Sequence, residues 1–284
     1  MSRVPAGADP SLLYVAARRV LLDGLDALAA QRGAVVLVGA QAVYLRSAGA
    51  DFGEVAVFTS DADLGLDPAL LGPEPHLDDA MSAAGFLPKV DAPGTWLRAE
   101  HVGDNMIDIG IDLLVAETFA GGGRRAARIP PHAHHSARQT PGLEATTVDN
   151  DPMTITSLEP DRDHRATQVK VAGIAALLVA KAYKIHDRLQ DPRPGQDADK
   201  DAGDVLRLMA ASDPDTVIAR FNRLLEDAHV SHVVEEGLRR LRVQFEASAT
   251  PGTDMAVRAI GGVAMPEATI RAIAPAFVAA LPRS

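Results

Sequence analysis

"LVGAQAVYLRSAGADFGEVAVFTSDADLGL" occupies residues 37–66. It sits inside a strand, glycine, helix, strand succession. "AVVLVG" (34–39) is a short apolar run ending in glycine and reads as a buried strand. "AQAVYLRSAGA" (40–50) continues as a short helix, and "EVAVFTSDADLGL" (54–66) returns as a strand. Side chains alternate along a strand, so Asp61 and Asp63 project together while Ala62 and Leu64 project the other way. Their Cα atoms lie about 6–7 Å apart at ~3.3 Å per residue. Two like charges that close raise one another's pKa unless a cation sits between them. Oxygen donors at this spacing suit Mg2+, which takes one or two carboxylates and leaves its other positions to water and phosphate. A solvated strand end running into a turn at Asp67-Pro68 is the other reading of the same residues.

Upstream, "SLLYVAARRVLLDGLDALAAQR" (11–32) is an amphipathic helix with Leu13, Ala17, Val20, Leu21 and Leu28 on one face and Gly33 as its stop. Downstream, "PEPHLDDAMSAAGF" (73–86) reads as a helix opened by proline, and "TWLRAE" (95–100) and "NMIDIGIDLLVAE" (105–117) as paired strands. In the second of these, Ile107, Ile109 and Ile111 face one way, Asp108, Gly110 and Asp112 the other. Residues 120–143, rich in Gly, Arg and His, read as an irregular excursion. "ATTVD", "PMTITSLE" and "ATQVKVAG" add short strands, and from 173 the pattern is helical: 173–190, 198–212, 214–228, 231–247 and two more, the last opened by Pro266. The change places a boundary between an α/β domain over 1–172, a mixed sheet with flanking helices, and an all-helical domain over 173–284.

The 284 residues are 47% apolar and 23% charged, the balance of a soluble globular chain. No cysteine is present, which excludes disulfides, thiolate zinc sites and a thiol nucleophile. "MSRVPAGADPSLL" lacks the apolar core of a signal peptide, and "VAGIAALLVA" (171–180) is too short to span a bilayer, so a cytoplasmic location without a membrane partner is expected. A net charge of −10 argues against sequence-blind binding along duplexes but leaves room for a nucleotide or nucleic-acid end at a local basic site. Only five lysines occur, and Lys181, Lys184 and Lys200 fall close together.

Glycine lets a backbone approach a ligand, and a helix starting there turns its free N–H groups toward an anion. Phosphate at Gly39-Ala40, a cation at Asp61 and Asp63, and a third carboxylate from 105–117 make a layout for phosphoryl or nucleotidyl transfer from Mg2+-NTP. With these residues in place, 37–66 resembles the G-[GS]…D-x-D signature of the polymerase-β-like nucleotidyltransferase superfamily. "LLVAKAYKIHDRLQDPRPGQDADKDAGDVLRLM" (177–209) resembles the K-x(6)-R…K-D-x-x-D pattern of AbiEii-type toxin nucleotidyltransferases, the toxins of type IV toxin–antitoxin and abortive-infection systems. The resemblance spans roughly 34–210. It implies the nucleotidyltransferase fold, Mg2+ as cofactor, and transfer of NMP to an acceptor, RNA and in particular a tRNA 3′ end, with a cognate antitoxin as partner. One departure stands out: Ala40 replaces the Gly or Ser of the motif, leaving backbone N–H groups and Gln41 to bind phosphate.

On the 173–190 helix, Ile174, Leu177, Leu178 and Ile185 form a stripe with Lys181 near its middle, Arg188 toward its edge and Lys184 off it. On the next helix Asp201 and Asp204 share a face with Val205 and Leu208. Charges on buried stripes need partners. Lys181 and Arg188 at a triphosphate, with Lys200, Asp201 and Asp204 orienting them or the acceptor, is one reading; a buried salt-bridge network fixing the helix pair is the other. Asp108 and Asp112 share a face, and Asp112, which opens "DLLV", matches the family's third-carboxylate strand better. The resemblance gives it a second Mg2+ and a share in deprotonating the attacking hydroxyl. Thr59 and Ser60 abut the metal strand, and a phosphate on either adds charge beside Asp61 that blocks NTP. "HAHH" (132–135) suits a surface loop better than a metal site, and Arg124, Arg125 and Arg128 suit either an RNA backbone or solvent. Transfer to a small molecule such as an aminoglycoside or to a protein hydroxyl, and a catalytically silent nucleotide-binding module, are the competing functional readings.

Overall fold

The computed structural model describes residues 9–48, 59–122, 125–191 and 198–283. The expected strand residues 54–58, Arg124 and most of the loop over 190–199 lie outside them.

Among the described residues, nine α-helices and one eight-stranded sheet make an α/β fold with a mixed sheet. The strands are β1 (Val35–Val38), β2 (Asp61–Leu66), β3 (Leu87–Pro88), β4 (Thr95–Val102), β5 (Asn105–Ala116), β6 (Arg138–Thr140), β7 (Asn150–Thr156) and β8 (Ala166–Ala172). Their order is β3-β4-β5-β2-β1-β8-β7, with β6 added to β5. β2 runs parallel to β5 and antiparallel to β1, and β1 runs parallel to β8. β5 changes partner along one edge: β4 pairs it antiparallel from Asn105 to Asp112, then β6 pairs it parallel at Leu114–Ala116. Gly94 sits where the partner changes, at φ +78, and a Cβ there would lie 2.5 Å from the Arg138 amide nitrogen. Only glycine lets the two segments meet there.

Helix α1 (Pro10–Ala27) opens on Asp9, whose carboxylate accepts from the Ser11 amide at 2.8 Å, and packs on β5, β2 and β4. It ends short of the expected 32, giving way to a 3-10 turn over Ala29–Ala34. Helix α2 (Gly39–Arg46) follows β1 directly. Helix α3 covers Leu77–Ala83, not 73–86, because the carbonyls of Gly72 and Pro75 and the Gly72 amide bond the Gln31 side chain instead of a helical ladder. "ATTVD" is not a strand. Its Thr146 and Thr147 hydroxyls donate to the carbonyls three residues back, at 2.6 and 2.9 Å, which closes a 3-10 turn over Glu144–Thr147. The excursion 120–143 contains β6, and His132 within it is buried, its Nδ1 accepting from the Leu77 amide at 3.3 Å.

From Ile174 every described element is helical: α4 (Ile174–Gln190), α5 (Ala198–Ala211), α6 (Pro214–Glu226), α7 (Ser231–Phe245), α8 (Pro251–Ile260) and α9 (Glu267–Ala280). Asp149 joins the two parts. Its Oδ2 accepts from the Ala176 amide in the first turn of α4 at 3.0 Å, and its Oδ1 pairs with Arg220 of α6. α5 packs back against α2 and α4. Among the described residues no helix is long and apolar enough to cross a membrane.

Candidate functional site

β1 and β2 pair so that Val38 stands opposite Asp63, which brings Gly39 against the Asp63 carboxylate. Gly39 has φ +68, and a Cβ on it would lie 1.9 Å from Asp63 Oδ2. Conformation and close approach both demand glycine here. On β2, Ala62 and Leu64 are buried while Asp61 and Asp63 are half-buried on the opposite face, as the period of two requires. The parallel register with β5 sets Asp63 beside Asp112 and Asp61 beside Gly110. Asp108, one step further out, is exposed, and Glu117 is also exposed. Three carboxylates therefore project from one face of two neighbouring strands, and Asp112 is the third.

Their electrostatic states differ. Burial, then the Asp61 charge beside it, pushes Asp63 up to about 6. Asp63 makes no side-chain hydrogen bond or ion pair with any described residue. Burial also opposes ionisation of Asp61, but the Thr59 hydroxyl, donating to its Oδ1 at 2.6 Å, and the charges of Lys200 and Lys184 hold it below the ordinary range. Asp112 is engaged at both oxygens: Thr95 Oγ1 donates to Oδ1 at 2.6 Å and Arg138 Nη2 to Oδ2 at 2.6 Å. Accordingly, no group of three or more His, Cys, Asp or Glu side chains is arranged to hold a metal ion among the described residues. Asp63, with no side-chain partner among the described residues, and Asp61, bonded at Oδ1 by Thr59, fit one hard divalent cation; Asp112 fits as a further ligand only when Arg138 releases it.

The opposite wall comes from α4. Lys181 is buried and donates to Asp201 Oδ1 at 2.7 Å and Asp204 Oδ2 at 2.6 Å, both on α5. Burial opposes its charge, yet the two carboxylates hold its pKa well above the lysine range. Asp201 also pairs with Arg188, and Lys184 stands 3.5 Å from it. Burial pushes Asp201 up, but Lys181, Lys184 and Arg188 outweigh it and hold the carboxyl well below its usual value. The salt-bridge network of the sequence reading is thus present, and it knits α4 to α5.

A cavity of about 620 Å³ lies between the walls. Asp61, Asp63 and Asp112 line it from the sheet, and Gly39 lines it as the first residue of α2. Lys181, Lys184 and Arg188 line it from α4, and Arg138 from β6. Other expected residues stand behind the surface. Gln41 is buried: its Nε2 donates to the carbonyls of Ala17 and Asp61 at 3.2 and 3.3 Å, and its Oε1 accepts from Arg18, so it ties α1 to β2 and does not reach the cavity. Ala40 is in the core, and Thr59, Ser60, Lys200, Asp201 and Asp204 are not part of the lining; Thr59 acts on Asp61 and the two aspartates act on Lys181. Sequence reasoning missed Arg138, because nothing in "SARQT" announces a strand beside β5. It also set Lys184 aside as lying off the apolar stripe, whereas the cavity opens on that flank of α4. The chain matches no protein-family model and no curated protein.

Proposed function

We propose that the protein is a Mg2+-dependent nucleotidyltransferase that moves NMP from an NTP to an acceptor hydroxyl. One observation carries the reading: a cavity of about 620 Å³ whose one wall is Asp61, Asp63 and Asp112, with Gly39 beside them, and whose other wall sets Lys181, Lys184 and Arg188 among Asp187 and Asp191. Phosphate chemistry needs both signs, carboxylates to hold a divalent cation and fixed positive charge to balance the leaving pyrophosphate.

Asp61 and Asp63 would hold the cation, which supplies Lewis-acid charge at the α-phosphate when bound. Its presence would lower Asp63 below the value of about 6 that burial and Asp61 impose on it. In the reaction the acceptor oxygen forms a bond to the α-phosphorus, the bond to the β-phosphate oxygen breaks, and pyrophosphate leaves. The hydroxyl proton passes to Asp112, the carboxylate one strand over from Asp63. Lys184, half-exposed on the cavity side of α4, faces the β- and γ-phosphates. Lys181, which also lines the cavity, is held between Asp201 and Asp204 and keeps the wall rigid.

RNA as acceptor, a tRNA 3′ end in particular, the role of toxin in a toxin–antitoxin or abortive-infection pair, and a cytoplasmic location rest on the resemblance of 37–66 and 177–209 to AbiEii-type enzymes. Incubation of the full chain with each labelled NTP and total RNA is expected to label RNA in a Mg2+-dependent way, and Asp63→Asn is expected to lower the rate at least about 10²-fold. Transfer to a small cationic molecule or a protein hydroxyl would show in the same assay as label outside the RNA. Absence of transfer to all three acceptor classes with all four NTPs would overturn the proposal.

A further inference from the structure

Among the cations of the cavity, Arg138 stands apart. Lys181 and Arg188 are bound to carboxylates of α5, and Lys184 leans toward Asp201. Arg138 alone among them bonds one of the three strand carboxylates, Asp112, through a single nitrogen at 2.6 Å. A guanidinium carries five N–H donors in a fixed fork. The Arg138 guanidinium makes no other hydrogen bond or ion pair among the described residues, and the side chain is 38% exposed within the cavity lining. Most of its fork has no protein partner among the described residues, and it lines the same cavity as Asp61, Asp63 and Asp112.

The backbone under Arg138 is held from several sides. β6 is registered on β5, with Arg138 opposite Leu114. The Ala127 amide donates to the Ala137 carbonyl at 3.0 Å, and the Gly94 amide to the His135 carbonyl at 2.8 Å. A Cβ on Gly94 would come within 2.5 Å of the Arg138 amide nitrogen. The strand is clamped while the side chain is half in solvent, so the guanidinium is the part that can relocate. Asp112, meanwhile, cannot offer Oδ2 to a cation and to Arg138 at once, and its Oδ1 is taken by Thr95.

We infer that Arg138 is an exchangeable counter-ion: it neutralises Asp112 while the cavity is empty and moves to the polyphosphate of the nucleotide when the cavity is loaded. The inference rests on the proposed nucleotidyl-transfer reading and assigns Arg138 as a substrate-binding residue of that same site. The exchange keeps the charge of the carboxylate face balanced in both states. It also couples entry of the divalent cation to capture of phosphate, because each event removes the partner that opposes the other.

The test uses the full chain and probes that do not depend on the base: Mn2+ followed by electron paramagnetic resonance, and Mg2+-triphosphate followed by calorimetry. Arg138→Gln is expected to bind Mn2+ alone several-fold more tightly than the unaltered protein, since Asp112 is released, and to bind Mg2+-triphosphate about tenfold more weakly. A clamp that served only the fold would move both affinities the same way or neither, and either result overturns the inference. Asp63→Asn separates the two proposals. If it abolishes Mn2+ binding while Arg138→Gln matches the unaltered protein, only the counter-ion exchange falls; if neither the unaltered protein nor any variant binds Mn2+ or triphosphate, both fall. Should Arg138→Gln not fold, the side-chain 15N resonance absent from Arg138→Lys serves in the unaltered protein. It is expected to shift on addition of Mg2+-triphosphate, and a resonance that stays put counts against the exchange.

Discussion

Asp63 is the residue on which the site turns, and its ionisation is coupled to stability. The folded chain raises its pKa from 3.8 to about 6, because the carboxylate is desolvated beside Asp61. The folded state thus binds the proton more tightly than the unfolded chain does. Stability from this group is fully present below about 4 and is lost as pH rises toward and through 6. The loss is on the order of 1–3 kcal/mol. Asp61 has the opposite sign: held below its ordinary value, it stabilises the fold above 3.8 and loses that contribution as pH falls further. Denaturation of the protein and of Asp63→Asn between pH 3.5 and 7.5 (roughly the span of the shift) should therefore show the variant gaining relative stability up to about pH 6 and no further. Millimolar Mg2+ should shrink the gap. A difference independent of pH would mean that Asp63 is not electrostatically frustrated.

At the scale of elements, the network that joins α4 to α5 is centred on one buried amine. Lys181 satisfies Asp201 and Asp204 at 2.7 and 2.6 Å, with both carboxylates buried. Replacing it with methionine keeps the volume but removes the amine the two carboxylates share, leaving Asp204 without its lysine while Asp201 keeps only Arg188 and the more distant Lys184. Breaking a buried pair in this way costs about 3–5 kcal/mol. Lys181→Met should lose that much in chemical denaturation, and adding Asp204→Asn should restore part of it by removing one orphaned charge. Loss of nucleotide transfer with stability unchanged would instead put Lys181 at the substrate. The same scale explains the missing strand. β6 has three residues, too few for a period to register, and it exists because β4 stops pairing with β5 at Asp112 and leaves an edge open. Its arginine reaches Asp112 only because that edge is filled by chain from 26 residues on.

For the molecule as a whole, the cavity is shared by the sheet and α4, and Asp149 fastens the two, capping α4 while pairing with Arg220. A ligand held by both walls binds the folded state alone, so it stabilises the entire chain by mass action. At a hundredfold excess over Kd that amounts to about 2.7 kcal/mol. For a chain of this size the midpoint should rise by roughly 4–8 °C. Mg2+-NTP should produce that rise in the unaltered protein and none in Asp61→Asn or Asp63→Asn; equal shifts in all three would place the nucleotide elsewhere.

Sequence alone was enough to put Gly39, Asp61 and Asp63 together and to separate Asp112 from Ile111, because strand alternation and the need for glycine at a close approach are local consequences of backbone geometry. The helices from 174 onward were legible for the same reason, each carrying its own apolar stripe. The tertiary structure decided what faces those residues. Periodicity reports which side of an element is covered but not by what, so it could not turn Lys184 toward the carboxylates, bring Arg138 onto Asp112, or draw Gln41 back into the core. Those outcomes depend on pairings between segments far apart in the chain, and only the packing of the sheet against α4 and α5 determines them.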